Sequence, residues 1–168
     1  MGADDWTDHD DAKARCGQSG AVAAAENVGV FLFRKTDESE IPWDTFFRRK
    51  VLAASDEKQT ISNECGKSSG LSVQRRRDGD RERILEMAKE QASKKAGRVS
   101  EGVATASVGV LRNIKLPGES NQRVFVYDDG REGDLLHAVI RVASCNRAAF
   151  DDIRTQIIDA FSERLAPE

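Results

Sequence analysis

Phe150, Ile153, Ile157, Phe161 and Leu165 follow one another at spacings of three, four, four and four. Residues so spaced line one side of a helix, so Arg147 to Leu165 is expected to be amphipathic, with Asn146 as its cap. Five large apolar side chains in one stripe need an apolar surface to lie against. The chain offers one as short runs rich in β-branched and aromatic residues: Asn27 to Phe33, Leu71 to Arg75, Gly102 to Leu111, Arg123 to Tyr127 and Leu136 to Val142. The last two flank the turn-rich DDGREGD at 128–134 and are expected to pair as an antiparallel hairpin. Arg81 to Lys95 is a second helix of strong helix formers, with Ile84, Leu85, Ala88 and Ala92 on one side and Gly97 past its end. Trp43 to Ala54 fits a shorter helix through Phe46, Phe47, Val51 and Leu52. The fold class that follows is α+β: a mostly antiparallel sheet of about five strands, with the two main helices packed on one face.

The chain has 168 residues, enough for one core. Residues 1–26 are polar, acidic and then alanine-rich, without apolar periodicity, and read as a flexible acidic tail ahead of a single domain over 27–168. No apolar run approaches the roughly 18 residues of a membrane-spanning helix. The opening MGADDWTDHDDAKARCG lacks the apolar stretch of a secretory signal. Cys16, Cys65 and Cys145 are scattered, as reduced thiols of a cytoplasmic protein would be. His9 and His137 are the only histidines, so neither a metal nor another cofactor is expected.

The segment ECGKSSG at 64–70 ends like a phosphate-binding loop. Such a loop starts with a glycine five positions before the Gly-Lys-Ser, where the chain turns its amides onto phosphate. Here that position is Ile61, whose branched side chain resists the turn. The segment therefore reads as a polar loop. Cys65 beside Lys67 is a conceivable nucleophile with His137 as its base, and Ser69 is the alternative. His137 alternates with Leu135, Val139 and Arg141 along its strand, where a hydrogen-bonded sheet histidine is the commoner outcome.

Charge is unevenly spread. Residues 1–44 carry ten acids and four bases, whereas residues 67–99 carry ten bases and five acids. Within the second stretch Arg75, Arg76, Arg77, Arg81 and Arg83 form a cluster that can contact nucleic-acid phosphates, although Asp78, Asp80 and Glu82 are interleaved.

Ser68-Ser69, Gly70-Leu-Ser-Val73, Gly102-Val-Ala-Thr-Ala-Ser-Val-Gly-Val-Leu-Arg112 and His137-Ala-Val-Ile140 occur in an order that resembles a bacterial family of small cytoplasmic proteins. The likeness covers less than half of the chain. Asp128-Asp129-Gly130 also lacks the proline that the family's turn carries before its histidine. The resemblance brings no activity with it, but it singles out Ser69, Arg112 and His137. The function expected is that of a non-catalytic interaction or accessory protein acting with a protein partner. A nucleic-acid-binding module using Arg75 to Arg83 comes second, and a hydrolase-type enzyme using His137 with Cys65 or Ser69 third.

Overall fold

A computed structural model describes residues 17–40, 42–56, 71–76, 81–142 and 147–167. Ten elements run β1 (Asn27–Lys35), α1 (Trp43–Asp56), β2 (Leu71–Arg76), α2 (Arg81–Ser93), β3 (Arg98–Ser107), α3 (Val108–Arg112), β4 (Val124–Asp128), β5 (His137–Val142), α4 (Arg147–Ala160) and β6 (Glu163–Leu165). The strands form one six-stranded sheet in the order β4-β5-β2-β1-β3-β6, and every pairing is antiparallel. The α+β class read from the sequence is therefore what the chain adopts, with a sixth strand added.

The helices divide between the two faces, and β1 shows why. Val28, Val30 and Leu32 point to one side and join a core with Phe47, Val51, Ile153, Ile157 and Phe161. Phe31 points to the other side, where it packs with Ile84, Leu85, Ala88 and Val103. A central strand that is apolar on both sides must be covered on both. So α1 and α4 share one face, joined by the rings of Phe47 and Phe161 at 4.8 Å, and α2 lies on the opposite one. The two helices expected together thus sit back to back across the sheet. Burying Ile84 and Leu85 there stabilises the chain by about 1.5–3 kcal/mol each. Gly29 lets α2 come this close: a Cβ on it would stand 3.0 Å from Ile84 Cδ1 and 2.5 Å from Val103 Cγ1.

Three boundaries differ from the sequence reading. The helical stripe stops at Ala160, and the chain extends into β6, where Leu165 pairs with Val103. Gly102 makes room for this strand, with φ of 96° and a Cβ position only 2.0 Å from the Leu165 carbonyl oxygen. Val108 to Leu111, expected to prolong β3, turns into the short α3 instead. Its first amides are taken by residues ahead of β1: Val108 N–H donates to Glu26 O and Gly109 N–H to Ala24 O, both at 3.0 Å.

Those donors reach part of the expected tail, which is the third difference. Residues 17–26 are packed against the sheet, with Val22 only 1% exposed in the core. Gly17 N–H donates to Asp128 O at 3.1 Å and Ser19 N–H to Asp128 Oδ2 at 2.9 Å. Backbone hydrogen bonds and the guanidinium of Arg75 anchor a segment whose composition looks unstructured. Residues 1–16 lie outside the described residues. No helix among the described residues is long and apolar enough to cross a membrane.

Candidate anion-binding site

Arg75 is withdrawn from the arginine cluster expected from the sequence. Arg75 lies on the core face of β2 with 3% of its surface exposed. Its Nε and Nη2 donate to the two carboxylate oxygens of Glu26, both at 2.9 Å, and its Nη1 donates to Gly20 O at 2.7 Å. Nη1 also stands 3.4 Å from Oδ1 of Asp128, which is fully buried. This guanidinium is committed to holding residues 17–26 in place and has nothing left for a phosphate. Arg76 is half-buried at the end of β2, while Arg81 and Arg83 are exposed on the first turn of α2. Arg77 lies outside the described residues.

His137 is held by the β4–β5 connection. Its Nδ1 donates to Asp129 Oδ2 at 2.8 Å, and Asp129 also accepts from Arg131 at 3.0 Å. Its cross-strand partner Gln74 donates from Nε2 to both Asp134 carboxylate oxygens at 3.1 and 3.2 Å, while Gln74 Oε1 is buried without a partner. Cys65 and Ser69 lie outside the described residues, so no geometry joins them to His137. Arg112 donates from Nη2 to Val126 O at 3.2 Å, a contact that ties α3 to β4.

Cations that the sequence leaves apart do assemble at the far end of β1. Phe33, Arg34, Lys35, Glu38, Arg49, Lys50 and Arg98 line an open pocket of about 350 Å³. Three elements contribute: β1 and the turn after it, the middle of α1, and the first residue of β3. Five of the seven lining residues are basic and one is acidic. Arg34 is neutralised separately, since its Nε donates to Glu101 Oε1 at 2.5 Å. That hydrogen bond raises the Arg34 pKa above its ordinary value. With Glu38 counted against one of the others, three positive charges remain in excess around one hollow.

Lys50 is the centre of this arrangement. Its neighbours on the helix, Phe47 and Val51, are 1% and 2% exposed, so its stem is drawn toward the core. Its Nζ donates to Phe31 O at 2.7 Å, a carbonyl on the part of β1 that runs beyond its three-residue pairing with β2. The ammonium also lies 5.2 Å from the centre of the Phe33 ring. Burial pushes its pKa down from 10.5 to about 8, and the nearby charge of Arg98 pushes the same way. Arg98 packs its guanidinium 4.2 Å from the centre of the same ring and caps the end of α2, donating from Nε to Ala92 O at 3.3 Å and from Nη2 to Gln91 O. A cation is the favoured partner for those helix-end carbonyls. No family model, no curated protein and no solved structure matches this chain. The likeness over residues 68–142 therefore remains one of short motifs.

Lys35 and Arg49 complete the wall from the exposed side, and neither side chain has a carboxylate partner among the described residues. A second hollow of about 360 Å³ adjoins the first across Lys35 and Arg98, lined also by Thr36, Asp37, Lys95, Ala96 and Gly97. Thr36 N–H donates to Gly97 O at 2.8 Å and fastens the two turns that flank it. A desolvated ammonium without a counter-charge, as at Lys50, costs folding free energy, and such groups gather where a ligand completes them. The chemistry on offer is capture of an anion by basic side chains from three elements. The sequence did hold a signal: Lys50 stands three residues after Phe47 and one before Val51, so a lysine occupies a core-facing helical position.

Proposed function

We propose that this chain is a non-catalytic binding protein that holds an acidic segment of a protein partner in the pocket around Lys50. The observation that carries the reading is the surplus of three positive charges around a hollow of about 350 Å³ in a chain whose net charge is −3. A field of that kind attracts anions from solution even when the whole molecule is negative. A protein partner is favoured over nucleic acid because the Phe33 ring is already occupied by Arg98 and Lys50. Bases stack on free aromatic faces, and the arginines first singled out for phosphates include Arg75, which is spent on Glu26.

The test is a titration with a fluorescent glutamate-rich peptide, run beside a single-stranded oligonucleotide of matched charge. The peptide is expected to bind at low salt, to weaken as salt rises, and to lose at least about ten-fold in affinity with Arg49→Glu. Tighter binding of the oligonucleotide, lost with the same substitution, would return the nucleic-acid reading. Absence of any peptide binding at low salt would end the proposal.

The hydrolase-type reading rests on the His137–Asp129 hydrogen bond, the arrangement that orients an imidazole for proton transfer. Labelling with a thiol- or serine-reactive probe that disappears in His137→Ala would support it. Labelling that is unchanged in His137→Ala would remove it.

A further inference from the structure

The donor count of the pocket goes further than an acidic segment. This step rests on the reading just given and narrows its ligand. Lys50 uses one of its three N–H donors on Phe31 O, and both remaining donors are without a partner among the described residues. Arg98 spends its Nε N–H and one N–H of Nη2 on Ala92 and Gln91, which leaves Nη1 and the second N–H of Nη2. Arg49 and Lys35 bring whole cationic groups from α1 and β1. Four basic side chains from three elements thus have donors to spare. A single carboxylate offers two oxygens and one negative charge, so it leaves most of those donors and most of the excess charge unmatched. A phosphate monoester carries about 1.5–2 negative charges and three acceptor oxygens.

We infer that the pocket formed by Lys35, Arg49, Lys50 and Arg98 is built for a phosphate monoester carried on a side chain of the partner protein, rather than for a carboxylate. Three features argue for it. The surplus of three charges around the pocket matches a dianion better than a monoanion. The basic side chains that line the hollow come from three elements, which suits the three oxygens of a phosphate, whereas one planar guanidinium suffices for a carboxylate. The second hollow, across Lys35 and Arg98 and lined also by Lys95 and Asp37, gives the peptide on either side of a phosphorylated residue somewhere to lie. An inorganic phosphate ion would leave that hollow empty.

The test uses the full chain and one glutamate-rich peptide in three forms, with serine, glutamate or phosphoserine at its centre, together with inorganic phosphate. The phosphoserine peptide is expected to bind about ten-fold or more tighter than either other form. Arg49→Gln and Lys50→Met should each remove that preference, and Arg83→Gln should leave it intact. Thermal unfolding of each variant checks that it is folded. Should Lys50→Met fail to fold, Arg49→Gln, at an exposed position, carries the test alone. Equal affinity for the glutamate and phosphoserine forms overturns this inference and leaves the acidic-segment reading standing, whereas no binding of any form overturns both. A preference for phosphoserine that survives Arg49→Gln puts the site elsewhere and also overturns it. Inorganic phosphate binding as tightly as the phosphopeptide contradicts the side-chain source.

Discussion

Arg75 and Lys50 are cations drawn toward the interior at opposite ends of β1, and the fold treats them in opposite ways. Arg75 receives a bidentate carboxylate from Glu26, a second carboxylate from Asp128 and the Gly20 carbonyl oxygen. Lys50 receives one backbone carbonyl, an aromatic ring and the repulsion of Arg98. A buried charge with full partners is a structural element, while one left short of partners costs stability that only a ligand offsets. The contrast separates a staple from a site. It also shows why a count of arginines along the chain does not separate the two roles.

The largest effect should come from breaking the staple. Arg75→Met leaves Asp128, with no exposed surface, and Glu26, with little, both without the Arg75 guanidinium. Removing one partner of such a network costs about 3–5 kcal/mol, read as a fall in the urea midpoint. The same variant should make residues 17–26 the first part of the chain to exchange amide hydrogens. A cost below about 1 kcal/mol, the range of a surface pair, would erase the distinction between the two cations.

Next in size is the pH dependence that Lys50 imposes. Its pKa is about 8 in the folded chain against an ordinary value of 10.5. Between those values the unfolded chain binds more protons, so folding becomes more favourable as pH rises through that window. The charging cost is fully present below pH 8. The wild-type chain should therefore gain on Lys50→Met between about pH 8 and pH 10, by on the order of 2 kcal/mol or several degrees of melting temperature. Parallel melting curves for the two proteins across this range would show that Lys50 bears no such cost.

Most of the architecture could be read from residues because the two periodicities were present. The stripe through Phe150, Ile153 and Ile157 and the alternation of β5 each belong to one element. What escaped depended on contacts between distant segments. Residues 17–26 have no apolar period, and their order comes from Arg75, some fifty positions away. The end of the last helix was missed because β6 is held by the edge of β3 and the space above Gly102, neither of which is local to Leu165. The pocket was half visible. Lys95 and Arg98 lie in the basic stretch noticed at 67–99, and Arg49-Lys50 sits in a helix recognised for its phenylalanines. Only the sheet, by pairing Lys35 with Arg98, brings the two groups to one place.

The finest test of the contrast compares two arginines that are both exposed and both helical. Arg49 is on α1 beside the pocket, and Arg83 is in the first turn of α2, next to Glu82 and one turn before Glu86. Neutralising either should change stability by no more than about 0.5 kcal/mol, because solvated side chains on helix surfaces contribute little. Binding should separate them. Arg83 lies outside the pocket, so Arg83→Gln should leave affinity for an acidic peptide within about two-fold of wild type, whereas Arg49→Gln removes a cation from the pocket's rim. Equal losses from both substitutions would mean that the peptide responds to overall charge, and the pocket would then have no privileged role.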